Sequence, residues 1–286
     1  MAGPAFNVER PKALRSGVVF ASPHSGSDYF KSFLDASVLD EHCIRSSEDA
    51  FVDMLFGSAV AFGSPFITAK APRAFVDLNR APEELDPALI HGVKKSGHNP
   101  RIASGLGVIP RVVAGGRAIY RGKMSLQDAH NRLDTYWRPY HAQLQMLLDQ
   151  ARMTFGRTIL IDCHSMPHEA VNPGGLTPNL APQIVLGDRF GASATRDVVG
   201  QIEAAFQRAG FRVSRNAPFA GAFTTQHYGR PSRQQHVVQI EIDRSLYMNE
   251  KSITPLSTMP AFQARLRGVI LDICRIIGDT RSLAAE

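Results

Sequence analysis

Apolar positions in this chain follow two rhythms. Short continuous runs rich in Val, Ile, Leu and Phe occur at "GVVFAS" (17–22), "PFITAK" (65–70), "RAFVDLN" (73–79), "RTILIDCHS" (157–165), "QIVLGD" (183–188), "FRVSRN" (211–216) and "HVVQIEID" (236–243). Their length and their Gly, Pro, Asn and Asp borders predict buried strands. Elsewhere apolar residues return every three or four positions, which predicts helices over 47–62, 125–155, 193–210 and 258–277. Ser125 with Asp128 three residues on makes a helix start, and Pro139 should kink that helix or divide it. Buried strands alternating with helices indicate an α/β sheet covered on both faces. "RVVAGGRAIYRG" reads as a hairpin turning at Gly115-Gly116, and 168–182 as a long Gly/Pro loop of the kind that is more often functional than idle.

The chain has 286 residues, 44% of them hydrophobic and 20% charged, enough to bury a full core in a single domain spanning 1–286. No run approaches the ~18 apolar residues of a membrane span, and "MAGPAFNVERPKALRSG" lacks the apolar centre of a signal peptide, so the expectation is a cytoplasmic protein. Three widely spaced cysteines, with no CxxC pair, argue against a disulfide frame or a thiolate zinc site. The net charge of +6 comes from scattered arginines without a basic block or an RNA-binding aromatic motif. It suggests attraction for small anions and neither a nucleic-acid nor a membrane partner.

The opening strand breaks in an unusual way. "VVFASPHSGSDYF" passes from buried aliphatics to His24, and "TILIDCHSMP" repeats the pattern at His164. Strand ends are where open α/β sheets place ligands, although a loop histidine with a satisfied hydrogen bond is the plainer reading of either one alone. "SSEDAFVDML" puts Glu48 and Asp49 at an expected helix start, where carboxylates also serve as caps. Two imidazoles and one carboxylate from 48–49 would make the set that holds a catalytic Zn²⁺ with a fourth position open. A base to work beside it is offered by "HVVQIEIDRSLY", where alternation sets Glu241 and Asp243 on one face and Ile240 and Ile242 on the other; a salt bridge is the ordinary alternative. Asn79-Arg80 and Arg244 follow strand-like runs, and guanidinium groups suit carboxylates, although surface arginines also simply cover apolar area.

"PHSG", "SSEDAFVDMLF", "VDLNRAPEELDP", "IYRGKMSLQDAHNRLDTYWRPYH", "ILIDCHSMP", "PFAGAFTTQHYGRP" and "QIEIDRSLYMNE" stand in the order and spacing of the N-formylglutamate amidohydrolase family, which the chain resembles from about residue 15 to 275. The resemblance implies a three-layer αβα fold with a mixed, mostly parallel sheet, shared with zinc carboxypeptidases and aspartoacylases. It also implies one Zn²⁺ per chain on His24, Asp49 and His164, with Asp49 preferred over its neighbour Glu48. By the same resemblance Glu241 would be the general base, and Asn79 and Arg80 would line a pocket for a substrate carboxylate, with Arg244 as a further candidate. The implied reaction is hydrolysis of N-formyl-L-glutamate to glutamate and formate, which closes one route of histidine degradation. A deacylase or peptidase-like hydrolase for another N-acyl amino acid or peptide remains open, as does a non-enzymatic anion-binding α/β protein.

Overall fold

The computed structural model describes residues 4–94, 99–173 and 180–278. Part of the loop expected at 168–182, residues 174–179, lies outside them. The main sheet has seven strands in the order β1-β3-β2-β4-β7-β5-β6, namely β1 (Phe6–Glu9), β2 (Val18–Ser22), β3 (Phe66–Ala69), β4 (Thr158–Met166), β5 (Ile184–Gly187), β6 (Val213–Arg215) and β7 (Gln235–Asp243). β2, β4 and β7 run parallel, β5 is antiparallel to β7, and β6 is parallel to β5. The fold is therefore α/β with a mixed, mostly parallel sheet. Every residue of the nine-residue strands β4 and β7 is buried, so both faces of the sheet centre are covered. Among the described residues no helix is long and apolar enough to cross a membrane.

The chain divides into two compact units. One comprises Val8–Ser22, Phe51–Ile67 and Leu144–Glu286. It carries most of the sheet and the helices Arg196–Arg208 and Met259–Arg275, which answer the helical rhythms of 193–210 and 258–277. The other comprises Met1–Asn7, Pro23–Ala50 and Thr68–Gln143 and is rich in turns. Its core gathers Phe33, Ile44, Ala74, Val113 and Ile119, with the Arg132 guanidinium lying 3.9 Å above the Phe75 ring.

Three local expectations differ from the structure. Residues 73–79 form turns in place of a strand: the Phe75 and Val76 amides donate to Pro72 O, and the Asp77 amide to Val108 O. Val76 and Leu78 are still buried, so alternation there records burial without a ladder. The helix expected over 47–62 is broken into a 3₁₀ turn at Arg45–Ser47, an α-helix at Val52–Phe56 and a 3₁₀ helix at Gly57–Phe62. Glu48 is extended and Phe51 left-handed (φ 67°), so both acids precede the helix instead of starting it. Pro139 does not end the helical run; a π turn at Leu133–Trp137 joins Leu126–Arg132 to Arg138–Phe155. Pro139 has no N–H to give to residue 135, and the wider turn, in which the Arg138 amide donates to Leu133 O, absorbs the loss.

Candidate metal and active site

His24 follows the end of β2 by two residues, and the chain around it is held by backbone contacts. The Asp28 amide donates to Lys70 O at 3.0 Å, and Gly26 lies so close to Ala71 that a side chain there would overlap its carbonyl oxygen. The Asp49 amide donates to the His24 carbonyl at 3.0 Å, which brings the two residues side by side. His24 Nδ1 lies 3.5 Å from Asp49 Oδ2, while Nε2 is 2.7 Å from Asp77 Oδ1. Asp77 also accepts the Asn79 amide at 2.8 Å and Arg73 Nε at 3.0 Å. Burial works against its charge, yet His24, Arg73 and Arg80 together hold the Asp77 carboxyl well below the usual carboxylate range.

Glu48 has other partners. Arg45 grips it through Nε and Nη2, both at 3.0 Å, and the Tyr29 hydroxyl donates to it at 3.1 Å. Burial, then the charge of Glu48, raises the Tyr29 phenol. Of the two adjacent acids, it is Asp49 that faces His24.

β4 and β7 supply the second half of the chemistry through their register. His164 is level with Glu241, Asp162 with Gln239, and Met166 with Asp243, so Asp162, His164, Gln239, Glu241 and Asp243 share one face. His164 Nε2 lies 3.2 Å from Asp162 Oδ2, and Gln239 Nε2 donates to Glu241 Oε1 at 2.8 Å. On the same face Val185 of β5 is opposite Glu241, and Gly187, opposite Gln239, admits the backbone of Ala220 and Gly221, whose nearest atoms lie 2.8 Å from where a Cβ would stand.

His24, Asp49 and His164 each offer one ligand atom, and these atoms all lie within 4.8 Å of one another. All three residues are 1–2% exposed. Two imidazoles and a carboxylate, each imidazole backed by a further carboxylate at its other nitrogen, suit a zinc-class ion with one position left open.

Asn79 and Arg80 are buried on the turn that follows Asp77. Arg80 Nε donates to Leu106 O at 3.0 Å and Nη1 to Asn79 O at 2.9 Å. Among the described residues these are the Arg80 side-chain donors that bond within the chain. Arg244, also buried, donates through Nε to Ser165 Oγ at 3.1 Å. Asp243 orients a neighbouring backbone group, accepting the Ser245 amide, and lies 2.8 Å from His168 Nδ1.

The sequence reading missed Asp77, Asp162 and Gln239. Two of them had a usable signal, since Asp162 and Gln239 stand two residues before His164 and Glu241 and so on the same face of their strands. Asp77 had none, because its partner His24 lies 53 residues away.

A family profile described as N-formylglutamate amidohydrolase matches residues 16–248. A Pseudomonas aeruginosa protein named N-formylglutamate deformylase is 27% identical over 241 residues, 83% of this chain and 84% of that protein. One of the same name from Pseudomonas putida is 28% identical over 243 residues, 82% of this chain and 83% of that protein. The crystal structure of N-formylglutamate amidohydrolase from Ralstonia eutropha JMP134 matches with a TM-score of 0.88 and 30% identity, covering 96% of this chain and 98% of that one.

Proposed function

Because the chain belongs to the N-formylglutamate amidohydrolase family, we propose that it hydrolyses the formyl amide of N-formyl-L-glutamate to L-glutamate and formate. This would be the closing step of one route of histidine degradation. The observation that carries the reading is the buried grouping of His24, Asp49 and His164, together with the register that sets Glu241 level with His164 on the neighbouring strand. The three side chains would hold a zinc-class ion, one per chain, in the donor set such ions prefer. When bound, that ion lowers the pKa of water and polarises a carbonyl oxygen.

The remaining work falls to the protein. Glu241, its Oε1 tethered by Gln239, is the general base: it takes a proton from the attacking water and returns it to the amide nitrogen as the C–N bond breaks. Asp77 and Asp162 orient the two imidazoles and raise their basicity. In this reading Asn79 and the Arg80 fork bind a substrate carboxylate, and Arg244 takes a second one.

Elemental analysis together with formate release from N-formylglutamate tests this reading. The parent should carry about one zinc-class ion per chain and release formate. His24→Ala and His164→Ala should lose both. Glu241→Gln should keep the metal but lose on the order of 10²-fold or more in kcat. Parental metal content in both histidine variants would put the metal elsewhere, and no formate release by the metal-loaded parent would refute the substrate.

A further inference from the structure

We propose that Trp137 and His141 form a clamp that positions Arg80, and through it the affinity for substrate carboxylates. The inference rests on the reading of Arg80 given above and adds two residues to it. Both come from one stretch of helix, four residues apart, and both reach the turn that carries Asp77, Asn79 and Arg80. Trp137 Nε1 donates to the Arg80 carbonyl at 2.9 Å, and His141 Nε2 lies 2.9 Å from the Leu78 carbonyl. Since a carbonyl only accepts, Nε2 of His141 must carry the proton. The two rings pack on each other with centroids 4.0 Å apart, and both residues are buried.

What aims them is the π turn Leu133–Trp137, which ends on Trp137 itself. One extra residue in a turn rotates everything after it by about 100° around the axis relative to an uninterrupted α-helix. The indole and the imidazole therefore owe their direction to that insertion. A π turn is costly to keep and is frequent at functional sites.

The turn they grip has no strand ladder to stiffen it. Its backbone is fixed at Asp77 N by Val108 O, at Asn79 N by the Asp77 carboxylate, and at the carbonyls of residues 78 and 80 by the clamp. The guanidinium is in turn tied to Asn79 O and Leu106 O. A shift of the 78–80 backbone therefore moves the fork, and a bidentate carboxylate contact tolerates little misplacement. Trp137 and His141 are positioning residues; they act through Arg80.

The test uses the full chain. Trp137→Phe keeps an aromatic ring and removes the donor, and His141→Leu removes the imidazole donor while leaving an apolar side chain in its place. Each should raise KM for N-formylglutamate by about two- to tenfold, the loss expected from one hydrogen bond, with kcat and metal content unchanged. His141→Gln places an amide N–H near the lost Nε2 and should restore KM; Leu and Gln variants that behave alike would overturn the role of the bond. A purely structural role would instead lower kcat, metal content and the unfolding midpoint together while leaving KM alone.

A second readout does not depend on turnover. Trp137 is the single tryptophan of the chain, so its emission and its indole N–H resonance report on the clamp alone. Titration with L-glutamate, glutarate and acetate should shift both signals in the parent and in neither case in Arg80→Met. No carboxylate-dependent change in the parent overturns the clamp, whatever the substrate. A change that Arg80→Met abolishes, in a parent that does not hydrolyse N-formylglutamate, upholds the clamp and refutes only the substrate assignment.

Discussion

Gly26→Ala should unfold the protein more easily and loosen its metal site, although it adds a single methyl group. Gly26 does not use the backbone freedom of glycine, since it is absent from the residues with positive φ. It is required for space. A Cβ there would overlap Ala71 O and stand 2.8 Å from both the Ala71 carbonyl carbon and Lys70 O. Non-bonded carbon contacts settle near 3.5 Å, so the two segments must separate by at least about 0.7 Å. Asp28 N is bonded to the same Lys70 O at 3.0 Å, and that bond stretches or breaks with the movement. Overpacking of this kind costs about 1–3 kcal/mol and a lost hydrogen bond about 1 kcal/mol, which puts the destabilisation at roughly 2–4 kcal/mol. Urea unfolding followed by circular dichroism reads it as a lower midpoint at unchanged slope. His24 lies two residues upstream, so the metal content of the purified variant should fall as well. Exposed Ser27→Ala is the control, expected within about 0.5 kcal/mol of the parent. A Gly26→Ala protein with the parental midpoint and full metal content would refute the close-approach argument.

Asp162→Asn removes the carboxylate behind His164 and should weaken metal retention about 10- to 100-fold, read by competition with a chelator of known affinity. His236 gives a pH signature: burial first, then the Arg157 charge, lowers its imidazole, which accepts the Thr195 amide. An imidazole kept neutral in the fold gains a proton on unfolding, so its stability contribution is complete above about pH 6.5 and declines as pH falls, by up to about 1.4 kcal/mol per unit. Urea midpoints at about pH 7.5 and about pH 5.5 should differ less in His236→Gln than in the parent, and equal differences would remove His236 from the account. Burial raises the Cys163 thiol and pushes Cys274 up to about 12, whereas Cys43 is half-buried at the surface. A thiol reagent at neutral pH should therefore label one cysteine in the native protein and all three in urea, and rapid native labelling of Cys163 or Cys274 would contradict the packing.

Six of the seven sheet strands were legible as apolar runs bounded by breakers, whereas the half-exposed β1 (Phe6–Glu9) was not; β4 and β7 emerge within a residue of where their patterns end. Placing His24 just beyond a strand, and His164 and Glu241 within strands, needed no more than alternation and the break at each strand end. The 73–79 segment shows the limit of that logic. Its alternating Val76 and Leu78 are buried, but Pro72 starts a turn that takes the hydrogen bonds a ladder would need. The π turn was invisible for a related reason. Pro139 announces that one helical bond is missing, but whether a helix kinks, stops or widens depends on what its next turn must reach, here the carbonyls of Leu78 and Arg80. Asp77 was beyond reach because pairing across 53 residues leaves no local pattern.

The polar face of β4 and β7 carries a physical consequence of its own. Both strands are buried along their whole length, and yet Asp162, His164, Gln239, Glu241 and Asp243 occupy one face of them. Polar groups sealed from water without partners would each cost about 1–3 kcal/mol, so a sheet built for stability alone would fill these positions with aliphatic residues. The chain instead pairs most of their polar atoms: Asp162 with His164 and Gln239 Nε2 with Glu241, each two residues apart along a strand, and Asp243 with His168, while Gln239 Oε1 has no hydrogen-bond partner among the described residues. Pairing along a strand leaves the cross-strand direction open, so His164 and Glu241 can stand level with each other while each is oriented by its own neighbour. Their geometry is set before any ligand arrives, which is the condition for electrostatic and acid–base catalysis to act without reorganisation. The same pairing explains why single substitutions here should damage function before fold. Asp162→Asn or Glu241→Gln keeps volume and most hydrogen bonds in a sheet braced by Val237, Val238, Ile240 and Ile242, but removes the charge or the proton acceptor that the proposed chemistry requires.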